Sequence, residues 1–259
     1  MSSLPALLWI ETRKAVRSGL PLWTALASLL FPLGVGFLVF VSLNPDLSRQ
    51  LGLISAKAEL LAFADMDWAA YLRIFGQLIA TAGFMLFVFV ISWVFGREFA
   101  DGTVKDLLAV PVPRASLLLA KFIVVAVWAL GLTLIITAGG LAMGAVFNFP
   151  GGTPAVFARE VARGLGAAGL VILAALPFGF VASAGRGYLP PLGLAVLVLL
   201  LTNLVIVAGW GDYFPISIAG LYAQGTLALA PVPLGIVLAT ALAGMAATYA
   251  WWQNADQPR

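Results

Sequence analysis

Residues 98–121 read E-F-A-D-G-T-V-K-D-L-L-A-V-P-V-P-R-A-S-L-L-L-A-K, a charged island between long apolar runs at about 69–95 and 118–147. A helix needs about 20 apolar residues to cross the hydrocarbon core of a bilayer, so each run is a membrane span. The island is the turn between them. Outward from it the same pattern repeats, with further spans expected at about 20–43, 162–183, 190–209 and 231–252. The chain has 259 residues, 62% hydrophobic and only 10% charged, where a soluble domain carries roughly 25% charged residues. The expected fold is all-α: a polytopic membrane protein whose single six-span domain fills 20–259, with no large soluble domain left over.

Pro32 is expected to bend the first span, and Pro177 lies inside the fourth. Residues 44–68, with Asn44, Asp46, Arg49, Lys57, Glu59, Asp65 and Asp67, read as a polar loop. N-F-P-G-G-T-P at 148–154 is a turn-rich break, and Trp251 and Trp252 close the last span at an expected interface. Residues 213–230 are apolar, but Pro215, Gly220, Gln224 and Gly225 interrupt them. A re-entrant or surface segment fits them better than a seventh span.

There is no cysteine and no histidine, which excludes disulfides, Fe–S clusters, His-metal sites and His-based triads. No metal, no cofactor bound by this chain and no nucleic-acid partner is expected.

Residues 1–19 form an amphipathic helix. At 100° per residue Leu4, Leu7, Leu8 and Ala15 share one face, and Arg13, Lys14 and Arg17 the other. That pattern suits a helix lying on an anionic membrane surface. It is not a signal peptide, because its apolar part precedes its basic part and no small-residue cleavage site follows. Glu11 falls within the apolar face, either snorkelling to water or meeting a polar partner.

Lysine and arginine placement sets the orientation. With the N-terminus inside, Arg13, Lys14, Arg17, Arg97, Lys105, Arg114, Lys121, Arg186 and Arg259 are cytoplasmic, nine of the 14 basic residues. Arg49, Lys57, Arg73, Arg159 and Arg163 lie outside or at outward ends. Both termini and the island are then expected in the cytoplasm of a cell (inner) membrane protein.

The island, 97–117 with its flanks, has its own local logic. Thr103-Val104-Lys105-Asp106 reads as a capping box, Thr103 capping a helix start and Asp106 reaching back. Val104, Leu107 and Leu108 give the short helix an apolar stripe, and Pro111 and Pro113 stop it. By itself this is also what an ordinary inter-span turn obeying the positive-inside rule would show.

Across 98–121 the spacing of Glu98, Gly102-Thr103, Leu107-Leu108, Pro111, Arg114 and Lys121 resembles the cytoplasmic loop of ABC-2 type permeases, the membrane subunits of ATP-binding-cassette exporters. Glu11 followed by Lys14 also resembles that family's N-terminal helix, and the family places a short element between its last two spans. The resemblance implies that Glu98, Gly102, Thr103, Asp106, Leu107, Leu108, Pro111 and Arg114 couple to a separate ATPase. It also implies two such ATPase subunits, holding ATP and Mg, and a second permease copy or sister permease. This chain has no G-x-x-x-x-G-K-[ST] loop, and Gly-Lys never occurs in it, so it is not expected to be an enzyme.

Two other classes compete. An ion-coupled carrier usually keeps an ionisable group inside the bilayer. Here every acid is expected in a loop or at a span end, and Arg73 alone within a span. Gly209-Trp210-Gly211-Asp212 matches the G-x-G-D of intramembrane aspartyl proteases, but no second aspartate lies in a span to share a proton. With no deep charge, the expected substrate is apolar or amphipathic: a drug, a lipid or an antimicrobial peptide. Gly140-x-x-x-Gly144 is expected to allow close helix packing. Asn203 is either an interhelical hydrogen bond or part of the substrate path.

Overall fold

The computed structural model describes residues 4–44, 46, 66–109 and 112–254. Its α-helices in chain order are α1 (Leu4–Arg17), α2 (Leu20–Ser42), α3 (Trp68–Leu78), α4 (Phe84–Ala100), α5 (Val104–Ala109), α6 (Arg114–Phe147), α7 (Pro154–Ala175), α8 (Phe178–Ala184), α9 (Leu189–Val207), α10 (Pro215–Gln224) and α11 (Pro231–Gln253). A π-helical turn, Ile79–Gly83, joins α3 to α4 into one rod, and a 3-10 turn, Gly211–Tyr213, precedes α10. Among the described residues six helices are long and apolar enough to cross a membrane: Leu20–Ser42, Trp68–Ala100, Arg114–Phe147, Pro154–Ala184, Leu189–Val207 and Pro231–Gln253. The chain is an all-α, multi-pass membrane protein. Most of the polar 44–68 loop lies outside the described residues.

Proline and glycine set the joints. Pro177 lacks an N–H and its ring crowds the preceding turn, so the fourth span stops at Ala175 and restarts at Phe178. Gly244 of α11 nests into that break: a Cβ there would lie 2.5 Å from Pro177 Cα. Gly140 and Gly144 of α6 make room for rings rather than for a neighbouring backbone. A Cβ at Gly144 would fall 2.6 Å from the Trp68 ring, and Tyr71 Oη donates to Gly140 O at 3.0 Å. The close helix approach expected of this pair is therefore an aromatic fit against α3.

At 1.5 Å per residue, the ten residues of α10 extend about 15 Å, half of the roughly 30 Å hydrocarbon core. It packs on α3 and α7 through Ile216, Ile218, Ala219 and Ala223, so it cannot be a seventh crossing.

Two expectations about surfaces change. The Leu7–Ala15 stripe of α1 packs against α6, with Leu7, Glu11 and Ala15 buried in protein. The face left open carries Trp9, Ile10, Arg13, Val16 and Arg17. Trp252 is fully buried in protein rather than facing outward. It donates from Nε1 to Ser183 Oγ at 2.9 Å and packs edge-on against Phe99.

Candidate functional site

The spans carry their charges at the two ends of the bundle. At the end that holds α5, four side chains close a ring. Lys14 Nζ lies 2.9 Å from Glu11 Oε1 and 3.0 Å from Glu98 Oε1. Lys121 Nζ lies 2.9 Å from Glu11 Oε2 and 3.1 Å from Glu98 Oε1.

Local geometry puts them there. Glu11 and Lys14 are three residues apart on one helix face. Val94 and Glu98 are one turn apart on α4, so the Lys121 ammonium reaches both the Val94 carbonyl, at 3.0 Å, and the Glu98 carboxylate. Lysine has three N–H donors, and in Lys121 all three are used. Thr103 Oγ1 donates to Glu98 Oε2 at 3.0 Å, which occupies the last carboxylate oxygen. The ring is electrically balanced, and Glu11, Glu98 and Lys121 are all buried.

Such a network is costly to assemble and costlier to break. Desolvating buried charges largely offsets their attraction, but removing one partner strands the other at about 3–5 kcal/mol. The Lys14 ammonium, outside the spans, feels burial that would lower its pKa, and the charges of Glu11 and Glu98 outweigh it and raise it. A raised lysine pKa leaves the stabilisation complete at neutral pH and loses it only as pH climbs through that raised value. The ring gives Glu11 the polar partners that its place on an apolar face called for.

The other island residues divide. Gly102, at φ 70°, takes the left-handed conformation that ends α4 just after Asp101. The capping box does not form. Glu98 takes the Thr103 hydroxyl, and Asp106 is exposed with no hydrogen bond or ion pair among the described residues. Val104 and Leu107 pack inward against the core. The Leu108 side chain, and Pro111 altogether, lie outside the described residues.

Arg114 opens α6 beside the end of α11. Its Nη1 donates to the carbonyls of Trp252 and Gln253, each at 2.7 Å, tying the start of α6 to the end of α11. These are carbonyls the helix cannot satisfy within itself. The turn before α9 meets the island too. A Cβ on Gly96 would lie 2.9 Å from Gly187 O, and the Tyr188 hydroxyl has its pKa raised by burial and by the nearby Asp101 carboxylate. On the open face of α1, Arg13 stacks over Trp9 at 4.7 Å, while Arg17 lies exposed.

At the opposite end Glu160 of α7 gathers three arginines. Arg159 Nε is 2.9 Å from Oε1. Arg73 Nε is 3.4 Å from Oε2, and Arg163 Nη1 donates to the same oxygen. The fourth span was expected from about 162, which left Glu160 in a loop. Thr153 instead caps α7 through the Val156 amide and starts the helix at Pro154, so the carboxylate is carried inward and buried. Arg73 is thus paired with Glu160.

Asn203 is exposed and donates to Leu199 O on its own helix at 2.9 Å, with no interhelical bond among the described residues. Gly209, at φ 81°, turns the chain out of α9, and Asp212 is exposed, with no second aspartate beside it among the described residues.

Sequence reasoning gave Lys121 no role. Its signal was a cation set well inside an apolar helix.

Comparison with known proteins agrees with this architecture. Residues 7–203 match the model of the ABC-2 family transporter protein, a stretch that holds both charge clusters. The bacitracin transport permease protein of Bacillus licheniformis is 28% identical over 177 residues, 67% of this chain and 85% of that protein. No solved structure matches the chain. With most of its length, its first four spans, most of the fifth and its island inside that match, the chain belongs to the ABC-2 family of transporter proteins.

Proposed function

We propose that this chain is the membrane-spanning subunit of an ABC exporter, sitting in the cell membrane with both termini in the cytoplasm. It pairs with a second copy or a sister permease and is driven by two separate ATPases that bind ATP and Mg. The observation that carries this reading is the Thr103–Glu98 hydrogen bond. Through it the island loop enters a closed ring with α1, α4 and α6. A push on the loop is then delivered to three helices at once. Arg114 passes it to a fourth, α11.

The cargo is apolar or amphipathic, such as a drug, a lipid or an antimicrobial peptide. Two observations favour that class: the relative is named for bacitracin transport, and the charged side chains of the described spans gather at the bundle's two ends.

Purification of the tagged chain from its native membrane in mild detergent, with stoichiometric partners identified, tests the reading. A soluble subunit with a phosphate-binding loop should co-purify, and altering 98–114 should release it. Glu98→Ala and Arg114→Ala should each abolish transport while membrane insertion stays normal. Wild-type transport in both variants would remove the coupling role. A folded protein without an ATPase, transporting under an ion gradient in liposomes, would make it a secondary carrier.

A further inference from the structure

Among the described residues, the arginine cluster around Glu160 carries more positive charge than its neighbours neutralise. Three guanidinium groups face one carboxylate, a surplus of two charges. Among the described residues no second acid pairs with them. Asp67, at the same end, is spent on the Ala70 amide as the cap of α3, and Asp212 forms no ion pair.

Donor geometry is equally unbalanced. Each guanidinium has five N–H donors in a planar fork, and each gives one to Glu160. The carboxylate is almost wholly buried, at 1% exposure, whereas the Arg73 and Arg159 side chains are 43% and 56% exposed. Glu160 therefore holds the three heads from the protein side and leaves each with donors it does not use, Arg163 being the most enclosed at 22% exposure. Arg163 is braced further by Gly225 after α10, where a Cβ would lie 3.2 Å from its Cζ. Helices α3, α7 and α10 thus fix the cluster together at one end of the bundle.

We propose that Arg73, Arg159 and Arg163, oriented by Glu160, form a binding site for a phosphate group. That phosphate is carried on a lipid headgroup or arrives as a free phosphate or diphosphate ion. Guanidinium forks match phosphate oxygens two at a time, and three forks on one anchor suit a tetrahedral anion better than a planar one. The site lies away from the island, so it stands whichever ATPase drives the chain and whichever way the chain is oriented.

The test uses the full chain purified in a neutral detergent. Native mass spectrometry counts retained phosphatidylglycerol against phosphatidylcholine. Calorimetry follows inorganic phosphate and pyrophosphate. Arg159→Gln leaves Glu160 with two partners and an exposed site changed, so the fold should keep its melting temperature. Arg73→Gln/Arg159→Gln removes the surplus charge.

The wild type should hold one more phosphatidylglycerol per chain than the double variant, with about a tenfold loss of affinity for each arginine removed. Arg159→Lys should fall in between, keeping the charge but not the fork. Loss confined to the lipid arm identifies a headgroup, and loss confined to the ion arm identifies a soluble phosphate. Equal retention and equal affinity in wild type and double variant, across both arms, would overturn the site. If the double variant fails to fold, Arg159→Gln and Arg159→Lys decide alone by the same criteria.

Discussion

The two ends of the bundle solve the problem of buried charge in opposite ways. Near α5, two acids and two lysines close on one another, and every carboxylate oxygen is used. At the far end, one acid holds three arginines whose heads remain partly open. A balanced, sealed network has nothing left to offer a ligand but locks its helices together, so it behaves as a joint. An unbalanced one, anchored from below, keeps its surplus for something that arrives. Charge count alone separates a mechanical element from a receptor here, although both are built from the same residue types at span ends.

The largest effect should come from breaking the sealed end. Lys121→Met leaves Glu11 and Glu98 sharing Lys14 alone, and should cost about 3–5 kcal/mol, seen as a steep drop in melting temperature in detergent. Adding Glu11→Gln to that variant should restore part of the loss. A ring that was not structural would show neither effect.

Glu160→Gln should be milder, about 1–2 kcal/mol, because water can take over much of what the arginine heads lose. Added phosphate should restore the melting temperature of this variant and do little for Lys121→Met, a contrast read directly by thermal unfolding.

Smaller still, Thr103→Val removes one hydrogen bond to the ring and should cost about 1 kcal/mol. Transport should fall further than stability does, since the loop is unhooked while the helices stay packed. Parallel losses in the two assays would make Thr103 merely structural. Last, Asp106→Ala should leave unfolding unchanged, because its carboxylate bonds to nothing among the described residues. Any loss of a retained ATPase in that variant would mark Asp106 as a docking contact.

The sequence revealed the fold more fully than the site. Six apolar runs, the interruptions in 213–230, and the island between two spans follow from hydropathy and backbone chemistry, both local properties. The ring is not local: Lys14 meets Glu98 across 84 positions and Lys121 meets Glu11 across 110. One oddity did announce it, the acid on the apolar stripe of α1, whereas Lys121 counts with the cytoplasmic charges of the island.

Glu160 stayed hidden for another reason. Hydropathy starts the fourth span where the charges stop, whereas Thr153 starts the helix earlier. The capping box misled because a motif gives residue types and not their directions: Thr103 turns its hydroxyl to Glu98.

The π-helical turn at Ile79–Gly83 lies on the rod that carries Arg73 at one end and Glu98 at the other. A π turn accommodates one residue more than the α turn it replaces, and each α-helical residue advances the direction of a side chain by about 100°. The turn therefore acts as a phase adjuster: it sets the angle at which the arginine end points relative to the ring end. A relative with a plain α-helix here would need one residue fewer between the two clusters to keep both aimed. Alignments of such chains should place a single-residue gap at this turn rather than in a loop.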